Sequence, residues 1–486
     1  MNAVNSQEVG FVSTVNDFLI YLDGLPTIRV NDIVENEAGV RAWISSISEN
    51  RVQALLLDEG DVKPGQLFKR RTDPLSINIG DYLLSRAINP LGIAIDGKGL
   101  FNSSSKNKVY DLDKQAPGIK SRQFISNQFE TGITILDMLI PIGKGQRQLI
   151  VGDARSGKGS FIIDMIVNQK NTNVVCIYGA IGRPISHIRN VIDVLNTNKA
   201  LDFTIIVAAA SSDPPPLIYL VPQTAFTIAE YFQKKGKDVL LILDDMGNHA
   251  KIYREIALIG NKSPGRESYP GDIFYQHAHL LERAGNFKQS QGGGSITALP
   301  VIEINLNDFT GFIPTNLMAM TDGHLLFRSS LYNQGQRPAI DMGLSVSRVG
   351  LQTQSVLQKR LASRIKAVLT QANQLRILSR FSTELSPESQ QIQKQGQLIE
   401  ELIKQEALTY VPKEVQMIML SLVFTDYFKN KEITLFEEYK RRLIQAFKTD
   451  TDLKKLTSQA YLSKSLEEFD QVLKLVIPKL ELLWQH

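Results

Sequence analysis

The feature that most constrains this chain is a glycine-rich segment between an apolar strand and an apolar helix. It reads Gly152-Asp153-Ala154-Arg155-Ser156-Gly157-Lys158-Gly159 and lies between the predicted strand Gln148–Val151 and a helical run that begins at Phe161. Glycines let the backbone curl so that N–H groups point inward, and the helix N-terminus and the lysine attract phosphate. Because the bare motif occurs by chance in about one chain in seven of this length, the strand–loop–helix context matters. Together they predict a phosphate-binding loop.

A second motif supports this interpretation. The apolar run that begins at Val239 ends in Asp244-Asp245. It is typical of a Walker B strand, whose first aspartate holds the hydration shell of a magnesium ion, so Asp244 is predicted as an indirect metal contact. Continuous apolar strands separated by helix-length segments favour a parallel sheet covered on both faces. The further predicted strands are Val174–Tyr178, Phe203–Ala208 and Ile296–Glu303.

One position departs from the phosphate-loop pattern. The residue after the lysine is normally Ser or Thr, whose hydroxyl coordinates magnesium, but here it is Gly159. Ser160 lies one residue further on, about 100° round the helix, and does not point at the same ion. The missing ligand predicts weakened binding of magnesium-nucleotide and argues against efficient catalysis at this site.

The rest of the chain falls into three regions, as expected for 486 residues. Short alternating apolar runs from Val9 to about Tyr82 predict a β-barrel. Apolar residues at three-to-four spacing after Gln352 predict a helical bundle, with Ser386-Pro387 as one helix start. The predicted domains are a β-barrel at 1–82, a P-loop nucleotide-binding domain at 83–350 and a helical bundle at 351–486.

Composition excludes several classes of protein. The single cysteine, Cys176, lies in an apolar run and is predicted as a core residue, so neither a disulfide within the chain nor a cysteine metal cluster is expected. A net charge of +4 without a basic stripe argues against a nucleic-acid partner. We find no signal segment and no stretch of about 18 apolar residues. The expected location is cytoplasmic, with any contact to the inner face of the cell membrane made through partners.

Several segments closely resemble F-type ATPase alpha subunits and occur in family order from about residue 10 to the C-terminus. The resemblance implies an N-terminal β-barrel, a central α/β P-loop (RecA-like) domain and a C-terminal helical bundle. The segments begin at Gly145, Cys176, Pro264, Ser295, Arg337 and Ser345 and read GQRQLIVGD, CIYGAIG, PGRESYPGD, SITALP, RPAI and SVSRVG.

The resemblance also implies a set of residues that contact ATP or ADP. The family's Gln-Gly-Gln near the base reads here as Gln405-Glu406-Ala407, so one base contact is absent. We expect nucleotide to bind with altered magnesium dependence, and an empty site is the alternative. The implied contacts are Gly152, Asp153, Arg155, Ser156, Gly157, Lys158, Gly159, Ser160, Asp244, Tyr332, Arg337 and Gln405.

Two features favour an alpha-type over a catalytic beta-type subunit. Arg183 aligns with the glutamate that positions water in beta subunits, and an arginine is permanently protonated and cannot act as a general base. Arg183 either starts a helix in solvent or faces phosphate. The segment containing Arg348 resembles the one that supplies an arginine finger to a neighbouring catalytic site. The alternative for Arg348 is a surface ion pair.

The resemblance therefore implies a non-catalytic subunit of an F-type-like rotary ATPase ring. Its partners would be beta-type catalytic subunits and a gamma-like central shaft, which the turn at Thr383–Pro387 is expected to contact. The first predicted strand begins near Val9, which leaves no room for the helical extension by which alpha subunits dock on a peripheral stalk. We therefore expect a divergent paralogue in a specialised motor, such as one for cell motility, with additional stalk or motility proteins.

Two other hexamers remain as alternatives. A self-sufficient homohexameric ATPase of the secretion or flagellar-export type requires Ser or Thr at Gly159 and Glu at Arg183. An RNA-translocating hexamer of the termination-factor type requires an aromatic and basic RNA-binding barrel, and the N-terminal region has no basic stripe.

Overall fold

The structure, a computed structural model, describes residues 8–48, 51–101, 108–304, 310–378, 386–428, 436–463 and 465–482. Contacts divide these residues into two compact units, each assembled from separate stretches of chain. The first unit holds the described residues of Met1–Phe124, Lys144–Ala154 and Gln169–Leu325. The second holds those of Ile125–Gly143, Arg155–Asn168 and Leu326–His486.

The first six strands of the chain lie in the first unit and form a closed antiparallel barrel in the order β1-β2-β5-β4-β3-β6. Alternate side chains such as Ile20, Leu22 and Ala54 are buried inside it, as the period of a half-buried strand requires. Closure leaves no unpaired strand edge. The strands are β1 (Val9–Asn16), β2 (Leu19–Asp23), β3 (Asp32–Asn36), β4 (Arg41–Ser48), β5 (Arg51–Leu56) and β6 (Leu67–Pro74).

Five further short strands form two-stranded pairs or join the central sheet. β7 (Ser76–Ile79) pairs with β9 (Lys108–Asp111), and β8 (Ala87–Ile88) joins the edge of the central sheet. In the second unit, β10 (Gln128–Phe129) and β11 (Ile142–Gly143) form an antiparallel pair.

The central sheet of the first unit is parallel in the order β8-β14-β13-β15-β17-β12. β15 is buried along its whole length, as expected for a strand covered on both faces. β16 pairs antiparallel with β17, and β18 and β19 are two further short strands. The strands are β12 (Leu149–Asp153), β13 (Val175–Arg183), β14 (Thr204–Ala210), β15 (Val239–Asp244), β16 (Gly285–Asn286), β17 (Ser295–Ile304), β18 (Gly323–Phe327) and β19 (Val346–Ser347).

One strand continues further than its sequence suggests. The pattern predicts an end at Tyr178, because the glycines that follow weaken a strand. In the structure β13 stays paired with β14 as far as Arg183. Arg183 therefore lies at the carboxyl end of a sheet strand.

Helices connect the sheet strands and form the C-terminal region. Within the first unit, α4 packs against β13, β14 and β15. The helices that precede the C-terminal region are α1 (Thr134–Leu139), α2 (Lys158–Val167), α3 (Ile185–Thr197), α4 (Pro215–Lys234), α5 (Met246–Ile259), α6 (Ile273–Leu281), α7 (Phe312–Met320) and α8 (Ser329–Asn333).

The regular elements that the structure describes in the C-terminal region are helices. Ser386 caps α10 by accepting a hydrogen bond from the Ser389 N–H at 3.2 Å, and Pro387 is in the first turn, which confirms that predicted helix start. Residues 383–385 of the expected shaft contact lie outside the described residues. The helices are α9 (Val356–Leu378), α10 (Pro387–Ile403), α11 (Lys413–Leu422), α12 (Phe436–Thr449), α13 (Thr451–Leu462) and α14 (Leu466–Glu481).

These elements confirm the predicted architecture of β-barrel, α/β domain and helical region. Within the described ranges, none of the helices combines the length and the apolar character needed to cross a membrane.

Candidate nucleotide-binding site

The glycine-rich loop joins the end of β12 to the start of α2. Gly157, just before α2, has a φ of +86°, a conformation that favours glycine. A Cβ at Gly157 would also lie 2.9 Å from the Tyr332 ring. Lys158 is buried, and its Nζ lies 3.5 Å from the Ser156 hydroxyl. The local geometry is that of a loop that presents N–H groups and a lysine at a helix N-terminus.

Packing does not explain the glycine after the lysine. Gly159 is exposed, and a Cβ built on it would meet no atom within 4 Å. Close packing around the Cβ position therefore does not require glycine there, and what Gly159 changes is the chemistry of the loop.

A cavity of about 190 Å³ in the second unit brings together three of the predicted nucleotide contacts, Tyr332, Arg337 and Gln405. The Arg337 guanidinium carbon lies 4.1 Å from the centroid of the Tyr332 ring, a cation–π contact. Ser160 also lines this cavity. The lining residues are Ile133, Gly157, Ser160, Phe161, Asp164, Tyr332, Arg337, Pro338, Ala339, Gln405, Glu406 and Ala407.

Gln405 forms part of the cavity wall through an amide that the protein itself satisfies. Its Oε1 accepts hydrogen bonds from the Thr134 N–H at 3.0 Å and the Thr134 hydroxyl at 3.1 Å. Its Nε2 donates to the carbonyls of Gly132, at 2.7 Å, and Thr409, at 2.5 Å. Gln405 thus holds the segment that follows α10 against the segment that precedes α1, and its contact with a base stays a prediction.

Asp164 is a cavity residue that the motifs did not indicate. It lies one turn after Ser160, so both side chains share a face of α2. Its Oδ1 accepts a hydrogen bond from the Leu408 N–H at 2.8 Å, and burial raises the pKa of Asp164 to about 6. The four-residue spacing between Ser160 and Asp164 along α2 is the sequence signal that could have indicated Asp164 as a site residue.

Both carboxylate oxygens of Asp244, the Walker B aspartate, accept hydrogen bonds from residues of the first unit. Asp244 is 2% exposed, and one carboxylate oxygen accepts a hydrogen bond from the Tyr178 hydroxyl at 2.6 Å. The other oxygen accepts from Arg183 Nη2, which also lies 3.8 Å from Asp245. Burial alone would raise the pKa of Asp244, but the nearby His187, the Arg183 charge, and the hydrogen bonds from Arg183 and Tyr178 hold it at about 2.

The pairing argues against one of the two alternatives for Arg183, that of a helix-start residue exposed to solvent. Its side chain is 22% exposed and forms an ion pair with Asp244. The two residues are 61 positions apart in sequence, but β13 and β15 are neighbouring parallel strands whose carboxyl ends meet at one edge of the sheet.

Family-type magnesium binding does not fit these residues. Such a site uses a hydroxyl after the lysine and an aspartate free to hold the metal's water shell. Gly159 has no hydroxyl, and both oxygens of Asp244 already accept hydrogen bonds from protein donors.

Arg348 is exposed on a firmly held segment of the second unit. It makes no hydrogen bond or ion pair with any residue that the structure describes, so the surface ion pair considered above is not formed there. The neighbouring Ser347 is buried and donates a hydrogen bond to the Pro141 carbonyl at 2.6 Å. Ser347 therefore anchors the backbone next to Arg348.

Comparisons with known proteins agree with this fold and site. A family model described as ATP synthase alpha/beta family, nucleotide-binding domain, matches residues 132–347. A second, described as ATP synthase alpha/beta chain, C terminal domain, matches residues 352–476.

Relatives of similar length carry the name ATP synthase subunit alpha. That of Metamycoplasma arthritidis is 40% identical over 486 residues, which cover 99% of this chain and 90% of the relative. That of Mesomycoplasma hyopneumoniae (strain 7448) is 40% identical over 438 residues, covering 89% and 86%. That of Mycoplasma pneumoniae is 38% identical over 464 residues, covering 95% and 89%.

The barrel, the parallel sheet and the glycine-rich loop define a multidomain nucleotide-binding protein. More specifically, the chain belongs to the ATP synthase alpha/beta family. The resemblance to F-type alpha subunits is thereby confirmed.

Proposed function

We propose that this chain is a non-catalytic, alpha-type subunit of an F-type-like rotary ATPase. The observation that carries the proposal is the ion pair between Arg183 and Asp244. Hydrolysis in the chain's own site would need a carboxylate where Arg183 stands, and a guanidinium that is always protonated cannot accept a proton from water. The chain therefore acts with a catalytic partner.

Arg348 is the residue that this subunit contributes to catalysis. Placed against the transferring phosphoryl group of a neighbouring beta-type subunit, it would neutralise charge that develops in the transition state. Arginine fingers accelerate hydrolysis by about 10³–10⁵, or about 4–7 kcal/mol of barrier. Its exposure and its lack of a partner among the described residues support this role.

The chain's own nucleotide, ADP or ATP, serves a regulatory or structural purpose. Lys158 and the N–H groups at the start of α2 would hold the phosphates. The base would stack on Tyr332 beside Arg337 in the cavity lined by Gln405. The domain limits that accompany this proposal are 1–82, 83–350 and 351–486.

The ring would contain beta-type catalytic subunits around a gamma-like shaft. The names of the relatives support an assembly of this kind. The departures at Gly159, Arg183 and Ala407 support a specialised motor, such as one for motility, held at the inner face of the cell membrane through stalk or motility proteins. Co-purification of the ring with a proton-channel ring and a standard set of stalk subunits would contradict the motility motor.

The test compares ATP turnover of the purified chain with that of the ring reconstituted with its beta-type partner. We expect little turnover by the chain alone. In the ring, Arg348→Ala should lower turnover by about 10³-fold or more. Arg441→Ala, which removes another exposed arginine, on α12, is the matched control and should leave turnover unchanged.

Brisk ATP turnover by the partnerless chain would favour the homohexameric alternative and overturn the proposal. Near-normal turnover of the Arg348→Ala ring would remove the arginine-finger assignment.

A further inference from the structure

We infer that nucleotide binding by this subunit does not depend on magnesium, because Arg183 takes the place of the metal against Asp244. The inference rests on the proposal that the chain binds ADP or ATP, and it specifies the form in which the nucleotide binds. Three observations support it: the bonding of Asp244, the charge of Arg183, and the open space beside Gly159.

The first step concerns whether the carboxylate oxygens of Asp244 are available to the water shell of a metal ion. One oxygen accepts from Tyr178, the other from Arg183, and His187 Nε2 lies 3.6 Å from the oxygen that Tyr178 occupies. Magnesium keeps a tight octahedral shell of water and oxygen ligands. A carboxylate whose two oxygens already accept hydrogen bonds from Tyr178 and Arg183 cannot organise that shell without breaking these bonds.

The second step concerns charge. Asp244 is buried, Arg183 is largely buried, and a guanidinium is not deprotonated in proteins. A magnesium ion that displaced Arg183 from Asp244 would leave that cation without its partner next to a divalent ion. Removal of one partner from a buried ion pair is strongly unfavourable. Arg183 is therefore a fixed positive charge that a metal does not replace.

The third step is that nothing in the packing prevents a metal ligand after Lys158. A Cβ on Gly159 would have no neighbour within 4 Å, so close packing around the Cβ position does not explain the missing hydroxyl. The chain thus departs from the pattern of the family's catalytic sites at two separate positions, Gly159 and Arg183. Both departures act in the same direction.

The phosphates do not depend on a metal for all of their compensating charge. The positive end of α2, a helix of ten residues, and Lys158 at its first position provide fixed positive potential. We therefore expect the free nucleotide to bind as well as its magnesium complex.

The experiment measures the affinity of the full-length chain, without beta-type partner, for a fluorescent ADP analogue in excess Mg²⁺ and in EDTA. The wild-type chain should bind equally well in both. The double variant Gly159→Thr with Arg183→Gln restores a hydroxyl and frees Asp244, so Mg²⁺ should strengthen its binding by about 10–100-fold.

Two further variants separate the contributions. Gly159→Thr alone should stay indifferent to Mg²⁺, because Arg183 still holds Asp244. Gly159→Thr with Arg183→Lys keeps the positive charge and should also stay indifferent. These two variants test the idea even if Arg183→Gln does not fold.

Several results would overturn the inference. They are a wild-type affinity that falls severalfold in EDTA, an absence of binding in both conditions, and full magnesium dependence in Gly159→Thr alone. None of them bears on the turnover of the Arg348→Ala ring, so failure here and failure of the proposed function are distinguishable.

Discussion

At the scale of single residues, Gly350 determines how Arg348 is presented. A Cβ on Gly350 would lie 1.7 Å from the Pro141 carbonyl oxygen and 2.5 Å from the Ser347 hydroxyl. That hydroxyl itself donates to Pro141, so the two residues that flank Arg348 at positions 347 and 350 both depend on close approach to one carbonyl. The arginine is long and flexible, but the backbone that carries it is fixed.

Gly350→Ala should therefore lower ATP turnover of the reconstituted ring although Arg348 is still present. The added methyl group must displace the backbone, and we expect it to cost about 1–3 kcal/mol in the free energy of unfolding. The measurements are ring turnover and denaturant unfolding of the chain. Gly271→Ala is the matched control, because a Cβ there meets no atom within 4 Å. Wild-type turnover of the Gly350→Ala ring would show that Arg348 does not need this anchorage.

At the scale of elements, Lys440 on α12 binds carbonyl groups at the C-terminal end of α10. Its Nζ donates hydrogen bonds to the carbonyl of Leu402, at 2.8 Å, and to that of Lys404. These carbonyls lie at the helix C-terminus, where no intrahelical donor is available. The residues that follow, Gln405 to Ala407, line the cavity, so this contact positions a wall of the candidate site.

Burial lowers the pKa of Lys440 to about 8 from its ordinary value of 10.5. Between these two values the unfolded chain binds more protons than the folded one, so the contribution of Lys440 to stability rises with pH through this window. We expect the stability of the wild type relative to Lys440→Met to increase by about 3 kcal/mol between pH 7 and pH 10. Urea unfolding of both proteins at each pH measures it. A difference that does not change with pH would contradict the assignment.

At the scale of the whole molecule, the second unit combines three stretches of chain that are far apart in sequence. Gln416 on α11 donates a hydrogen bond to the buried Asp137 carboxylate at 3.1 Å. Lys413 pairs with Glu130, and the Leu408 N–H bonds to Asp164. The C-terminal helices therefore belong to the unit that contains the loop lysine.

A chain that ends at residue 350 should consequently lose nucleotide binding although it keeps the entire phosphate loop. It lacks Gln405, Glu406 and Ala407 from the cavity wall, and it leaves Asp137 without the Gln416 donor. Binding of the fluorescent ADP analogue measures the effect, with the full-length Arg348→Ala chain as the control that should still bind. Undiminished binding by the shortened chain would show that the C-terminal region does not complete the site.

Local patterns were enough to predict the elements that carry the site. Alternation with period two predicted the barrel strands, and continuous apolar runs predicted the parallel strands, because side-chain burial repeats with the geometry of the backbone. Ser386-Pro387 predicted a helix start because a cap forms within four residues of chain. Gly159 could be recognised as a departure from the phosphate-loop motif for the same reason, whereas Arg183 was identified through the resemblance to F-type subunits. The contacts of Tyr332, Arg337 and Arg348 with nucleotide stay predictions.

The partners of these side chains could not be derived in that way. The sequence shows an arginine that cannot serve as a base, but only the meeting of β13 and β15 at one sheet edge pairs it with Asp244. The sequence likewise does not reveal that Thr134 donates two hydrogen bonds to the carbonyl oxygen of the Gln405 side chain. Residue type and local periodicity act over a few positions, and they establish the fold and the kind of chemistry available. Charge pairing acts through space. Arg183 and Asp244 are 61 positions apart in sequence, so an arginine can stand in for a metal against Asp244 only in the folded chain, where β13 and β15 lie side by side.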